Sequence, residues 1–302
     1  MPKRPAFVFH PDYEINIGKH VFPTQKFRLI RDLLLAEGAM EAHELHAPQK
    51  ATQAELLSVL EAQYVFDLEG TEHTPRTERS ELPISREIVE GCKRTAGGTI
   101  LAARLALEHG ACCHLGGGFH HGFHDHAEGF CYINDVAVAA RILTEERHGL
   151  KVAVVDTDVH QGNGTARIFQ GDDRVFTFSI HQDLLYPRKE VSDLDVGCHI
   201  NIRDAKYHAL LKEAMQTIVE GVQPDLVFVV AGVDPYENDK LGELNLSWAG
   251  MVERERLTLE PLAKAGIPFV TVTGGGYSRE VAETVGLHAE TVRMAIRVLS
   301  EL

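Results

Sequence analysis

A chain of 302 residues, 44% apolar and 25% charged, is long enough to bury a large core and has the balance of a globular protein. Its formal charge of −14 speaks against nonspecific nucleic-acid binding, which needs basic clusters to meet phosphates. No apolar run is long enough to cross a bilayer, the first residues lack the apolar stretch of a signal peptide, and the five cysteines include no CxxC. The expectation is a cytosolic protein with neither nucleic-acid nor membrane partners and without a disulfide framework.

Taken in chain order, the pattern predicts a strand at Ala6–Phe9, a helix at Phe22–Ala36, a polar surface loop from Gly70 to Ser80 and a helix at Ile84–Glu108. A strand at Ala111–His114 and a helix at Asp135–His148 follow. Strands come next at Val152–Val155, Val175–Ile180 and His199–Ile202, then a helix at Ala205–Gly221, a strand at Leu226–Ala231, a helix at Trp248–Ala265, a strand at Pro268–Thr273 and a closing helix at Arg279–Leu302. The strands are continuous apolar runs rather than alternating ones, as expected where both faces of a parallel sheet are covered. Strands alternating with helices, with no repeat or linker, predict one domain over residues 1–302: a three-layer α/β/α fold with a mostly parallel central sheet.

Ligands of open parallel sheets bind at the carboxyl ends of the strands. Five predicted strand ends carry reactive residues: His120 and His121 in LGGGFHHGFHDH, Asp156, Asp158, His160 and Asn163 in DTDVHQGNG, His181, Asp234 after Gly232, and Tyr277 after three glycines. Asp158 and His160, two apart on an extended chain, point the same way and can face one ion. Asp234 offers a third ligand; two carboxylates and an imidazole suit zinc or iron(II) and leave positions open. Each feature has a plainer reading. An Asp before Pro often starts a turn, and the histidine run 120–126 could be a surface metal-scavenging tract. The second reading leaves the preceding glycines and the following GFCYIN unexplained. Asp156 and Asn163 are candidates to orient the histidine pair, and Tyr277 to donate to an oxyanion.

Together these stretches resemble the zinc-dependent histone deacetylase superfamily: GGGFHH (116–121), EGFCYINDVAVAA (128–140), VVDTDVHQGNGT (154–165), FSIH (178–181), AGVDPYENDKLGELNLS (231–247) and GGGY (274–277), in matching order and spacing. HPDYE near the start and DVHQGN are most similar to class IV members and their bacterial relatives. The resemblance implies the arginase/deacetylase fold, with zinc held by Asp158, His160 and Asp234. It implies His121 as general base and then acid, and His120 as an electrostatic partner oriented by Asp156. Asn163 would orient His121, Tyr277 would hydrogen-bond the substrate carbonyl, and Gly129 and Phe130 would line the tunnel. A structural potassium ion is also implied, at Asp156, Asp158, His160, Ser179 and Ile180. Asn163 departs from the aspartate of class I members, which makes the histidine it orients less basic. The implied partners are acylated lysine in a protein or peptide, or an acylated small amine, and the acyl chain stays open between acetyl and long fatty acids. An arginase-type enzyme would need a second metal and more carboxylates; an inactive acyl-lysine binder would be expected to have lost one of these residues. The stretch HQDLLYPR (181–188) is expected at the pocket rim.

Overall fold

Strands built of uninterrupted β-branched and aromatic residues have no face fit for water, and the sheet places them at its centre. In the computed structural model, which describes residues 3–302, β1 spans Ala6–Val8, β2 Leu45–His46, β3 Ala111–His114, β4 Val152–Asp156, β5 Val175–Gln182, β6 Leu194–Cys198, β7 Leu226–Val230 and β8 Phe269–Val272. All pair in parallel, in the order β2-β1-β3-β8-β7-β4-β5-β6. β4 (VAVVD) and β7 (LVFVV) are buried at every position and lie side by side, Asp156 opposite Val230.

The helices are α1 (Lys26–Ala36), α2 (Gln53–Leu57), α3 (Ala62–Gly70), α4 (Arg86–His109), α5 (Asp135–Glu146), α6 (Asn163–Phe169), α7 (Asp204–Gln216), α8 (Trp248–Ala265) and α9 (Val281–Ser300). α1, α9, α8 and α7 pack in a row, while α4 packs on α3, α5 and the strands β1, β3 and β8. Local chemistry sets the ends. The Ser85 hydroxyl accepts from the Ile88 N–H at the start of α4, and Gly110 closes it at φ 91°. Ser247 and Asn134 cap α8 and α5 in the same way.

The predicted strand at His199–Ile202 is displaced. Strand β6 lies earlier, at Leu194–Cys198, and Ile200 is exposed. As the sheet edge, β6 has one wet face, so LDVGC alternates in polarity and does not read as a buried run. The helix expected over Ala205–Gly221 is α7 followed by a wider π-type turn at Thr217–Val222. The Gly70–Ser80 stretch is only outwardly a surface loop. Thr77 and Ser80 are fully buried, and Asp67 binds Arg76 (2.7 Å) and Thr74 (2.9 Å) across it.

The order of strands also creates a place for a ligand. The chain leaves β4 toward β5 and leaves β7 toward β8, so the connections part between these two neighbours. That divergence opens a crevice at their carboxyl ends.

One ion cluster ties the α6–β5 corner to α5. Asp172 accepts from Arg141 (2.6 Å) and from Arg174 Nε and Nη2 (2.9 and 2.8 Å), and these hydrogen bonds to Arg174 are the main reason its carboxyl lies well below the usual range. Its stabilising contribution is therefore complete above the unfolded carboxyl pKa of about 3.9 and is lost as pH falls below it. Asp172→Asn should lower stability at pH 7 by about 1–2 kcal/mol. Denaturant titrations should find the gap to the parent closing below about pH 4.

Candidate active site

The crevice between β4 and β7 holds three buried acids. Asp156 ends β4, Asp158 follows two residues later, and Asp234 follows β7. Backbone donors meet these carboxylates from two loops: Asp158 N–H to Asp156 (3.1 Å), His160 N–H and Gly275 N–H to Asp158 (2.9 and 2.7 Å), and Val159 N–H to Asp234 (2.9 Å). His160 Nδ1 lies 3.1 Å from both Asp158 Oδ1 and Asp234 Oδ2.

Asp158, His160 and Asp234 thus bring two carboxylates and one imidazole together, with ligand atoms within 4.8 Å of one another. The donor set suits a divalent cation. Burial opposes a charge on His160, yet its hydrogen bonds to Asp158 and Asp234 push its pKa up to about 10, so the pocket recruits positive charge even as a proton. Glycines keep the space clear: a Cβ on Gly232 would collide with the Asp158 carboxylate, and one on Gly275 with those of Asp234 and Asp158.

The histidine pair lies beside this group, with ring centroids 4.1 Å apart. His120 Nδ1 meets Asp156 Oδ2 at 2.6 Å. Burial works against its charge, but Asp156 and Asp158 prevail and push it up to about 9. His121 meets an amide instead, Asn163 Oδ1, at 2.8 Å. Burial, with His120 and His160 close by, holds His121 well below the ordinary histidine range. The two adjacent imidazoles are therefore pushed in opposite directions, His120 toward the charged form and His121 toward the neutral one.

These groups floor a cavity of about 280 Å³ walled by Phe22, Phe130, Tyr186, Leu241 and Tyr277. Burial, with Asp234 nearby, pushes the Tyr277 phenol well above its usual range, so it keeps its proton. Phe130 sits in the left-handed region at φ 65°, a conformation costing a non-glycine residue on the order of 1–3 kcal/mol. Its N–H donates to the Ser80 carbonyl (2.9 Å), and its ring packs with His20, Phe22 and Tyr277.

The structure places every sequence-predicted residue at this end of the sheet. His120, His121, His160, Gly129, Phe130 and Tyr277 line the cavity, with Asp156, Asp158, Asn163 and Asp234 just beneath or behind. Ser179 stands opposite Asp156 in register, with Ile180 next to it; the Ser179 hydroxyl lies 3.0 Å from His181 Nδ1. Leu185 and Tyr186 of the HQDLLYPR stretch do line the cavity. Several contributors went unread. Asp239 accepts from Tyr277 N–H (2.6 Å), Leu241 N–H (2.8 Å) and Gly242 N–H (3.1 Å). Lys26 is fully buried and donates to Gly274 O (2.6 Å). Arg254, also fully buried, donates to Thr157 O (3.1 Å) and Gly232 O (2.5 Å) and pairs with Glu255. The signal for the last two is a charge inside a helical apolar stripe, which periodicity counts as surface.

Residues 20–292 match the histone deacetylase domain family. This chain belongs to that family. It is 41% identical to an uncharacterized protein of Picosynechococcus sp., over 95% of this chain and 97% of that one. It is 28% identical to histone deacetylase 2 of Arabidopsis thaliana, over 93% of this chain and 76% of the relative. The crystal structure of an HDAC homolog from Aquifex aeolicus superposes with a TM-score of 0.82 at 22% identity, covering 97% of this chain and 84% of the other. The arginase/deacetylase fold and the superfamily expected from the sequence therefore hold.

Removing Arg254 leaves Glu255 as an unpaired buried carboxylate and two strand-end carbonyls without donors. Arg254→Leu should destabilise the fold by about 3–5 kcal/mol, and adding Glu255→Leu should recover part of the loss. Chemical denaturation of both variants is the check.

Proposed function

We propose that this histone deacetylase-family amidohydrolase cleaves N-acyl amides with zinc held by Asp158, His160 and Asp234, and that its substrate is acylated lysine in a protein or peptide. The observation that carries the reading is one buried floor on which a carboxylate-bound imidazole, an amide-bound imidazole, a phenol and an Asp–His–Asp group converge.

Zinc bound there supplies Lewis acidity, polarising a carbonyl and acidifying water toward a pKa of about 7. The side chains supply the rest. Neutral His121 takes a proton from the attacking water and later gives one to the departing amine, which an imidazole already protonated could not begin. His120, cationic through Asp156, stabilises negative charge that builds beside it. Tyr277 donates its hydrogen bond to the acyl oxygen as that atom becomes an oxyanion. Phe22, Phe130 and Tyr186 offer an apolar passage that suits the four-carbon stem of lysine. We also propose a structural potassium ion at Asp156, Asp158, His160, Ser179 and Ile180, held largely by backbone carbonyls, a reading supported by the register that sets Ser179 beside Asp156. A cytoplasmic setting is supported by five unpaired, buried cysteines.

The deciding assay uses protein stripped with a chelator, with and without added zinc, on one lysine peptide carrying acetyl, octanoyl or myristoyl and, in parallel, on an acetylpolyamine. Zinc-restored release of acetate fastest supports a lysine deacetylase. Faster release of the long chains makes it a fatty-acyl-lysine deacylase, and release only from acetylpolyamine replaces peptide by small amine as substrate. No zinc-dependent hydrolysis of any of these sinks the proposal. In the active assay, Tyr277→Phe should lower turnover roughly a hundredfold or more; unchanged turnover removes Tyr277 from the mechanism.

A further inference from the structure

Resting on that reading of the site, we propose that Glu128 is a positioning residue for His121, acting through the side-chain amide of Asn163. The Asn163 amide lies between the two, its Nδ2 2.8 Å from Glu128 Oε1 and its Oδ1 2.8 Å from His121 Nδ1.

The logic is one of donors and acceptors. An ionised carboxylate can only accept, so the Asn163 NH2 must face Glu128. The amide oxygen must then face His121, and because that oxygen can only accept, His121 Nδ1 must carry the hydrogen. What remains is a bare Nε2 lone pair, the form in which an imidazole can take a proton. Without Glu128 the amide could turn over and present NH2 to Nδ1, placing the hydrogen on Nε2 and disabling the base. Asn163 alone cannot decide between these states; Glu128 decides it.

Glu128 is itself held in place. Its carboxylate pairs with Arg79, and His126 Nε2 lies 3.6 Å away. Burial disfavours its charge, but His126, Asn163 and Arg79 outweigh burial and keep the carboxyl below its usual range. Its backbone closes a turn with Cys131, N–H to O at 3.1 and 2.9 Å in the two directions, so the side chain is aimed by main-chain hydrogen bonds. The contrast with His120 is instructive: there a carboxylate touches the ring directly, whereas here the carboxylate stands one amide away, fixing the tautomer without holding the ring cationic.

The inference predicts an interaction between positions 128 and 163 that a mere packing role would not produce. Glu128→Ala should lower kcat roughly tenfold or more with KM nearly unchanged. Asn163→Asp should also be impaired, because two carboxylates then face each other across a hydrogen-bond distance. The double variant Glu128→Gln/Asn163→Asp, measured at its own pH optimum because a carboxylate against His121 also raises its basicity as Asp156 does for His120, should regain most of the kcat lost by Asn163→Asp alone. In it the amide introduced at position 128 can donate to the carboxylate introduced at position 163, which in turn accepts directly from His121. Wild-type kcat in Glu128→Ala, or a double variant no better than Asn163→Asp, overturns the inference. Either result in a wild-type enzyme that still hydrolyses acyl-lysine leaves the reaction itself standing; an inactive wild type fails the proposed function instead.

Discussion

Burying three carboxylates at the ends of two adjacent strands is the constraint from which the rest of this molecule follows. Asp156, Asp158 and Asp234 are all within 2% of complete burial, where an uncompensated negative charge is very costly. Main-chain N–H groups from two loops, one after β4 and one after β8, and the imidazoles of His120 and His160 answer that charge. Behind the loops, Lys26 and Arg254 hold the carbonyls of Gly274, Thr157 and Gly232, so the same turns that present N–H groups inward are tied from outside. Such a site is organised before any ligand arrives, as electrostatic catalysis requires.

The reactive floor and the walls depend on one another. The turn 128–131 contributes Gly129 and Phe130 to the wall and the Glu128 carboxylate to the network behind His121. Its strained phenylalanine is held by the buried Ser80 carbonyl, at the end of the stretch that composition alone marks as a polar loop.

How much of this was legible in the sequence depended on whether a feature was written in spacing or in contact. The Asp158–His160 pair, two apart on extended chain, and Asp234 at the next strand end could be read because strand geometry dictates where such side chains point. Buried strands such as β4 and β7 were equally plain. The edge strand β6 was misplaced because a one-sided strand alternates, and β2, with two residues, has no pattern at all. The helices α2 and α6, of five and seven residues, are too short to display a period. Lys26, Arg254 and the hold of Asp239 on Tyr277 escaped because these contacts cross long sequence separations: Lys26 reaches a carbonyl 248 residues away. Glu128 was in plain view inside a recognised stretch, but nothing in one dimension says that it faces Asn163.

The shared anchor at Asp239 has a bearing on how such a protein can diverge. One carboxylate receives the main-chain N–H of Tyr277 and those of Leu241 and Gly242. The tyrosine loop and the adjoining wall therefore share one anchor, and moving Asp239 with the wall would strand the buried Tyr277 N–H. Sequence drift that reshapes this wall to admit a different ligand is answerable to the reactive phenol. The part of the wall built from Leu185 and Tyr186 carries no such tie to Asp239, and so offers lineages the freer ground for changing what enters.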